Sequence, residues 1–220
     1  MPTTVSPSLA DALAEQRAAA QDEIPDDTLT TLQAATDELT ARGRADDAVQ
    51  EGDSAPDFAL PNVMGDAVRL SERLQDGPVV LSFYRGGWCP YCNLELRALQ
   101  EARSDIDEAG GSLIAVSPQT PDASLSAKEK AEIEYEMLSD VGNEVADDYG
   151  LVFALNDAVL DAYDGFGIDL EAANGDDSGT LPMPATYVID TDGTVRYAFV
   201  NADYTRRADP VEVVETLRAL

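Results

Sequence analysis

Histidine is absent from this 220-residue chain, and cysteine occurs only twice. Without histidine the chain can form no Ser-His-Asp triad, no Cys-His pair and no His-ligated metal site. Two cysteines also fall short of the about four soft ligands that a zinc or iron–sulfur site needs. We therefore expect a protein that works with no metal and no other cofactor.

Long apolar runs are missing as well. No stretch approaches the ~18 apolar residues of a membrane span. The first residues, "MPTTVSPSLADALAEQ", lack the basic and apolar segments of a secretory signal. We expect a cytoplasmic protein, in which a closely spaced pair of thiols is more often catalytic or metal-binding than a structural disulfide.

Basic residues are scarce: 14 lysines and arginines face 43 acids, which gives a net charge of −29. Such a surface repels nucleic acid and anionic membranes, so we expect neither as a partner. The acids are scattered along the chain instead of forming a tail. This pattern favours a halophilic protein, because the Debye length shrinks to ~3 Å in molar salt and self-repulsion is screened.

The chain divides into two parts by its sequence pattern. Leucines at roughly helical spacing predict two helices within residues 8–44, separated at "DEIPDD" (22–27) because proline begins or ends a helix. From about residue 50 strand and helix patterns alternate. We predict a helical N-terminal extension over residues 1–49 and one domain over residues 50–220.

The second part has the pattern of an α/β fold. Apolar runs predict buried strands at 78–85 and 112–118 and a short third strand at 135–140, with helices between them. Strand–helix–strand order implies parallel neighbours. Two β runs within 184–200 flank "DTDG", which indicates a hairpin. A capped helix over 209–220 closes the chain. We predict a central mixed sheet, parallel at its centre, with a hairpin at one edge and helices on both faces.

Both cysteines lie in "FYRGGWCPYC" (83–92), directly after the first buried strand. Cys89 falls at the predicted helix start, Pro90 suits the first helical position, and Cys92 follows in the first turn. A helix N-terminus stabilises a thiolate, and three-residue spacing lets the two sulfurs bond. A redox dithiol is favoured over a metal shared between two subunits and over inert packing cysteines.

Neighbouring residues could support this chemistry. A guanidinium at Arg85 near a thiolate would lower its pKa, although Arg85 could equally be a solvated turn residue. Trp88 is expected as a partly exposed cover over the thiols. "YTRR" (204–207) could bind an anion, but a surface turn is favoured.

These residues resemble a known family. "FYRGGWCPYC" is similar to the Trp-Cys-x-x-Cys site of the thioredoxin superfamily. Together with "GDSAPDFALPN", "AVSPQTPD", "LPMPATYVIDTDGTV" and "NADYTRRADP", it resembles the peroxiredoxin-like (alkyl hydroperoxide reductase and thiol-specific antioxidant) branch over about residues 50–220. The resemblance implies a thioredoxin-like fold.

The chain departs from the family motif Pro-x-x-x-Thr/Ser-x-x-Cys. The cysteine that attacks peroxide aligns with Cys92, the hydroxyl position with Cys89, and the proline position with Arg85. Either Arg85 or Arg196 could supply the family's positive charge. Pro184 resembles the proline that faces the disulfide in thioredoxins, and we expect a cis bond before it.

The resemblance implies a thiol-dependent antioxidant oxidoreductase that reduces peroxides through a Cys-x-x-Cys dithiol/disulfide cycle. The alternative is a thioredoxin-like protein disulfide oxidoreductase. A dithiol protein such as a thioredoxin is the expected reductant, and a homodimer is compatible with the family. The motif alignment favours Cys92 for attack on peroxide, and the open helix-cap position favours Cys89 for disulfide exchange.

Overall fold

The computed structural model of the protein describes residues 8–220. The strands form one five-stranded sheet and two small two-stranded sheets. In chain order they are β1 (Ala59–Pro61), β2 (Ala67–Arg69), β3 (Val79–Phe83), β4 (Ser112–Ser117), β5 (Glu136–Ser139), β6 (Val152–Ala154), β7 (Thr180–Pro182), β8 (Ala185–Ile189) and β9 (Val195–Val200).

The five-stranded sheet has the order β5-β4-β3-β8-β9. Strands β3, β4 and β5 run parallel. Strand β8 pairs antiparallel with β3, and β9 pairs antiparallel with β8. The predicted sheet, parallel at its centre with an antiparallel hairpin at one edge, is confirmed. The short pairs β1–β2 and β6–β7 were not predicted, because three-residue strands carry almost no periodicity.

Helices flank the sheet. In chain order they are α1 (Leu9–Glu23), α2 (Asp26–Ala41), α3 (Leu70–Arg73), α4 (Pro90–Glu101), α5 (Arg103–Glu108), α6 (Pro121–Ala131), α7 (Glu144–Asp148), α8 (Asp157–Gly165), α9 (Leu170–Asn174) and α10 (Pro210–Arg218). A turn of 3₁₀ helix, Arg44–Asp47, follows α2.

Strand β3 is buried on both faces, as its continuous apolar sequence predicts. Val80 packs into a core with α4, α5 and α10. Val79, Leu81 and Phe83 pack into a second core on the opposite face. This central strand therefore fixes the position of the segment that follows it, which carries both cysteines.

Helix starts follow local capping chemistry. Thr120 caps α6 through its side chain, and Asp209 caps α10, each followed by proline at the first helical position. Both starts were predicted and are confirmed. Among the described residues no helix is long and apolar enough to cross a membrane.

The two N-terminal helices are confirmed, and they separate at Ile24 and Pro25. Helix α1 packs against α4, and α2 packs against α8. The first helix of the extension therefore lies against the helix that carries the cysteines. The domain boundary at residues 49 and 50 stays a prediction.

Candidate active site

The two cysteines lie at the junction of strand β3 and helix α4. Cys89 is the N-cap of α4, Pro90 occupies its first position, and Cys92 lies in its first turn. Both thiols are free and buried. The predicted position of the pair at a helix N-terminus is therefore confirmed, with less exposure of Cys89 than its cap position suggested.

The turn before the cysteines requires glycine. Gly86 has a φ of +149°, and a Cβ at this position would lie 2.4 Å from Nε1 of Trp88. The Gly87 N–H donates a hydrogen bond of 2.7 Å to Oε1 of Gln119, next to strand β4. The turn therefore holds Trp88 close against the backbone, and the indole stays partly exposed.

The pKa values of the two thiols are shifted in opposite directions. A hydrogen bond from the Cys92 thiol lowers the pKa of Cys89 to about 6, against the effect of burial, and the charges of Arg85 and Arg207 lower it further. Burial raises the pKa of Cys92, and the neighbouring Cys89 sulfur raises it again. The pair therefore combines a thiolate at Cys89 with a protonated thiol at Cys92 near neutral pH.

Arg207 lies against the sulfur of Cys92. Its Nη2 donates a hydrogen bond of 3.3 Å to Sγ of Cys92. Its Nε lies 2.6 Å from Oε2 of Glu95, in an ion pair whose side chains are 1% and 3% exposed. A buried cation is thus held next to the second sulfur by a carboxylate.

Glu95 provides a buried acid beneath the cysteines. It lies on α4, one turn after Cys92, and it accepts a hydrogen bond of 3.0 Å from Oγ1 of Thr186 on β8. Burial raises the pKa of Glu95 to about 7, and the positive charge of Arg207 opposes that rise.

Arg85 lies in a cage of aromatic rings. Its guanidinium carbon is 5.3 Å from the centroid of Trp88, 5.5 Å from that of Tyr163 and 4.4 Å from that of Tyr204. It also donates a hydrogen bond to the Tyr163 hydroxyl. Within residues 8–220 no carboxylate lies within ion-pair distance of Arg85. Its charge is therefore available to a thiolate at Cys89.

A cleft of about 880 Å³ lies next to Cys89. Cys89, Trp88 and Pro90 line one side, and helices α1 and α2 line the other. Cys92 lies behind Cys89, fully buried, and does not line the cleft. Of the two cysteines, Cys89 is therefore the one that borders the cleft, with 2% of its surface exposed.

Residues 51–198 match the family model of the AhpC/TSA family. The chain belongs to the AhpC/TSA family. A chloroplastic peroxiredoxin Q of Oryza sativa subsp. japonica is 30% identical over 175 residues, which cover 79% of this chain and 70% of the relative. A putative peroxiredoxin of Mycobacterium tuberculosis is 27% identical over 172 residues, which cover 78% of this chain and 98% of the relative.

Solved structures agree with these sequence matches. The crystal structure of Peroxidoxin BcpB from Mycobacterium tuberculosis superposes with a TM-score of 0.62 at 27% identity, over 78% of this chain and 98% of that one. The thioredoxin-like fold and the peroxiredoxin-like branch are confirmed.

In this AhpC/TSA protein two arginines lie near the cysteines. Arg85 stands at the position of the motif proline, and its guanidinium lies in the aromatic cage next to Cys89. A second arginine, Arg207, contacts Cys92. A buried arginine therefore lies near each sulfur, and Arg207 also lowers the pKa of Cys89.

Of the two candidates for the positive charge of this AhpC/TSA site, Arg85 lies beside Cys89 and lowers its pKa. Arg196 does not reach the cysteines, because it lies on β9 and pairs with Asp190 and Asp192 at 2.8 and 3.2 Å. The segment "YTRR" is not only a surface turn, because Arg207 is buried at its end. The sequence gives no local sign of this, since Arg206 beside it is exposed.

The cis bond predicted before Pro184 is also wrong, because residues 8–220 contain no cis peptide bond. The chain passes from β7 to β8 without a tight turn: the Met183 N–H bonds to the Leu151 carbonyl at 2.9 Å, and β8 begins at Ala185. Pro184 still lies near the site, where it lines a small cavity with Arg85 and Tyr204.

Four residues of the site were not predicted: Glu95, Tyr163, Tyr204 and Arg207. Of these four, only Glu95 could have been found from the sequence. It follows Cys92 by three residues on a predicted helix, and residues three apart on a helix share a face. Tyr163 lies on α8 and Tyr204 lies after β9, and no spacing in the sequence connects either of them to the cysteines.

Proposed function

We propose that the protein is a thiol-dependent peroxidase in which Cys89 and Cys92 cycle between dithiol and disulfide. The observation that carries this proposal is the pair itself: a thiolate at Cys89 facing a cleft, hydrogen-bonded by a protonated thiol at Cys92. Membership in the AhpC/TSA family and the likeness to peroxiredoxins support peroxide as the oxidant.

The first step is attack of the Cys89 thiolate on the O–O bond of a hydroperoxide. The terminal oxygen is transferred to sulfur as sulfenic acid, and the other oxygen leaves as an alkoxide or hydroxide that takes up a proton. Sulfur is oxidised and the peroxide is reduced to an alcohol or water. Arg85 and Arg207 stabilise the negative charge of the Cys89 thiolate before it attacks.

In the second step Cys92 attacks the sulfenic sulfur, a disulfide forms, and water leaves. The Cys89 sulfur loses its negative charge in the first step, and with it one of the effects that raise the pKa of Cys92. Arg207, 3.3 Å from Sγ of Cys92, then favours the thiolate. The first oxidation therefore activates the second thiol.

The order of attack proposed here differs from the motif alignment, which favours Cys92 as the peroxide-attacking thiol. Two observations support Cys89 instead: it lines the cleft, and its pKa lies near 6 while that of Cys92 is raised. The threonine position of the family motif is thus proposed to hold the nucleophile.

A separate dithiol protein such as a thioredoxin completes the cycle by reducing the disulfide to two thiols. We further propose that the protein acts in the cytoplasm, and its scattered acids and net charge of −29 support action at high salt. The same dithiol could serve exchange with other protein disulfides, which is the alternative function.

The test compares two activities of the purified protein with dithiothreitol as reductant. We expect rapid consumption of hydrogen peroxide and cumene hydroperoxide, and insulin reduction no faster than with dithiothreitol alone. A variant with both Cys89→Ser and Cys92→Ser is the control and should lose peroxide consumption. Insulin reduction without peroxide consumption would establish the alternative function in its place.

A further inference from the structure

Four charged groups are buried together around the cysteine pair. The cations are Arg85 and Arg207, and the anions are the carboxylate of Glu95 and the thiolate of Cys89. Arg207 pairs with Glu95 at 2.6 Å. The charge of Arg85 lowers the pKa of Cys89, so the thiolate is the anion that opposes this second guanidinium. Above a pH of about 7, where Glu95 is ionised, the reduced site therefore has equal numbers of positive and negative charges.

Formation of the disulfide removes one of these charges. When Cys89 and Cys92 are joined, two electrons pass to the peroxide and the Cys92 proton leaves with the sulfenic oxygen as water. Arg85 then has lost its anion, and no carboxylate of residues 8–220 lies within ion-pair distance of it. Residues 1–7 contain no acidic side chain. The oxidised site thus contains one buried cation without a counter-charge.

The surroundings of Arg85 stabilise this cation only in part. The residue is 2% exposed, and burial of a charge is unfavourable unless it is paired and hydrogen-bonded. Three aromatic rings surround the guanidinium, and the hydroxyl of Tyr163 accepts one hydrogen bond from it. Nε of Arg85 is buried and donates to no described residue. A guanidinium has five N–H donors, so Arg85 has an unused donor as well as an unopposed charge.

A small cavity lies beside this guanidinium. Its volume is about 30 Å³, and Arg85, Tyr163, Tyr204 and Pro184 line it. A water molecule needs about 10–15 Å³ of such space, so the cavity suits a single small ion and is too small for an organic anion. Most of the other lining side chains are apolar: Leu32, Ala35, Leu39, Phe153, Leu155 and Val159.

We propose that this cavity is a chloride site that fills when the two cysteines form a disulfide, with the chloride paired to the guanidinium of Arg85. Chloride supplies the single negative charge that the oxidised site lacks, and it needs only N–H donors as partners. The reduced protein binds it weakly, because the Cys89 thiolate already opposes Arg85. This inference rests on the dithiol/disulfide cycle of the proposed function and adds an anion site that follows the redox state.

The reduction potential of the cysteine pair measures this linkage without any peroxide, since a ligand that prefers the oxidised state stabilises the disulfide. The protein is equilibrated with mixtures of reduced and oxidised dithiothreitol in potassium gluconate, which KCl replaces stepwise at a constant total of about 2 M. Both salts are monovalent and screen charge equally, but gluconate is too large for the cavity.

Above the dissociation constant of chloride, each tenfold rise in its concentration should lower the potential by about 30 mV, which corresponds to a tenfold change in the equilibrium constant of a two-electron couple. A potential that does not change with chloride would overturn the site. Failure of the pair to form any disulfide would overturn the proposed function itself.

Two variants separate the charge from the cavity. Arg85→Gln removes the cation, and Ala35→Leu adds an isopropyl group to the cavity wall while Arg85 stays in place. Both should remove the chloride dependence of the potential. Ala41→Leu is the matched control, because Ala41 is exposed on the same helix and lines neither the cavity nor the cleft. An unchanged chloride dependence in Ala35→Leu, or its loss in Ala41→Leu, would contradict the assignment to this cavity.

Bromide locates the ion, because this heavier halide quenches tryptophan fluorescence at short range. Trp88 is the one tryptophan of the chain, and its ring centroid lies 5.3 Å from the guanidinium carbon of Arg85. Quenching by bromide should saturate in the oxidised protein and rise linearly, by collision alone, in the reduced protein. Linear quenching in both states would overturn the site. Saturation at the same bromide concentration in both states would overturn its dependence on the disulfide.

Discussion

Nη2 of Arg207 lies 3.3 Å from Sγ of Cys92, although 115 residues separate them in the sequence. The same guanidinium pairs with Glu95, which accepts a hydrogen bond from Thr186 in strand β8. One buried network thus connects helix α4, the central sheet and the segment before α10. Its consequence is that the second thiol has a fixed positive charge beside it before any peroxide arrives.

The reactivity of Cys89 should follow the ionisation of its thiol. Because the thiolate is the nucleophile and the pKa of Cys89 lies near 6, its alkylation rate should rise with pH through that value and level off above neutrality. The measurement is the rate of iodoacetamide labelling of the reduced protein, with the modified peptide identified by mass spectrometry. An inflection near the ~8.5 of an ordinary cysteine would contradict the account.

The thiol of Cys92 is the largest contribution to that lowered pKa of Cys89. Cys92→Ala removes the hydrogen-bond donor and should move the labelling inflection of Cys89 to higher pH. Cys92→Ser keeps a donor at the same position, so its inflection should lie between those of Cys92→Ala and the wild type. Identical profiles for the two variants would show that the hydrogen bond does not set the acidity of Cys89.

Removal of one member of the Glu95–Arg207 ion pair should lower the stability of the protein strongly. At a pH above 7, where the carboxylate is ionised, Glu95→Gln leaves a buried guanidinium without its counter-charge and should lower the free energy of unfolding by about 3–5 kcal/mol. Urea denaturation at high salt measures this change.

The matched control replaces both members of the pair, with Glu95→Leu and Arg207→Met together. This double variant should be more stable than Glu95→Gln alone, because no uncompensated charge remains buried. If the free energy of unfolding of Glu95→Gln lies within about 1 kcal/mol of the wild-type value, the ion pair does not hold the network together.

Much of the fold could be predicted from sequence because its signals are local. The apolar run of β3, the cap at Thr120 and the Asp209–Pro210 helix start each specify an element within a few residues. The position of Cys89 and Cys92 follows from the same local pattern, a strand followed by a glycine turn and a helix beginning at Pro90.

The surroundings of the sulfurs could not be predicted, because they depend on contacts between distant segments. Arg207 follows the exposed Arg206 in a segment without helix or strand periodicity, so its burial has no local signature. The aromatic cage of Arg85 joins Trp88, Tyr163 and Tyr204 from three separate segments. A cis bond before Pro184 was inferred from resemblance alone, and no local feature of the sequence specifies the isomer of that bond.

Salt should stabilise the protein strongly. With a net charge of −29, repulsion between carboxylates opposes the compact state at low ionic strength, and molar salt screens it. The melting temperature should therefore be higher in about 3 M KCl than in about 0.1 M KCl. Differential scanning calorimetry measures it, and equal melting temperatures in both solutions would refute the proposed adaptation to salt.

The most direct test of the central claim is to mix Cys89→Ser and Cys92→Ser separately with hydrogen peroxide and to follow the remaining thiol by rapid-quench mass spectrometry. In Cys92→Ser, Cys89 should gain one oxygen and be trapped by dimedone as sulfenic acid. In Cys89→Ser, Cys92 should react far more slowly, because its sulfur is fully buried and burial, the largest effect that raises its pKa, remains in this variant. Rapid oxidation of Cys92 in Cys89→Ser, with Cys89 unreactive in Cys92→Ser, would contradict the account and assign peroxide attack to the buried thiol.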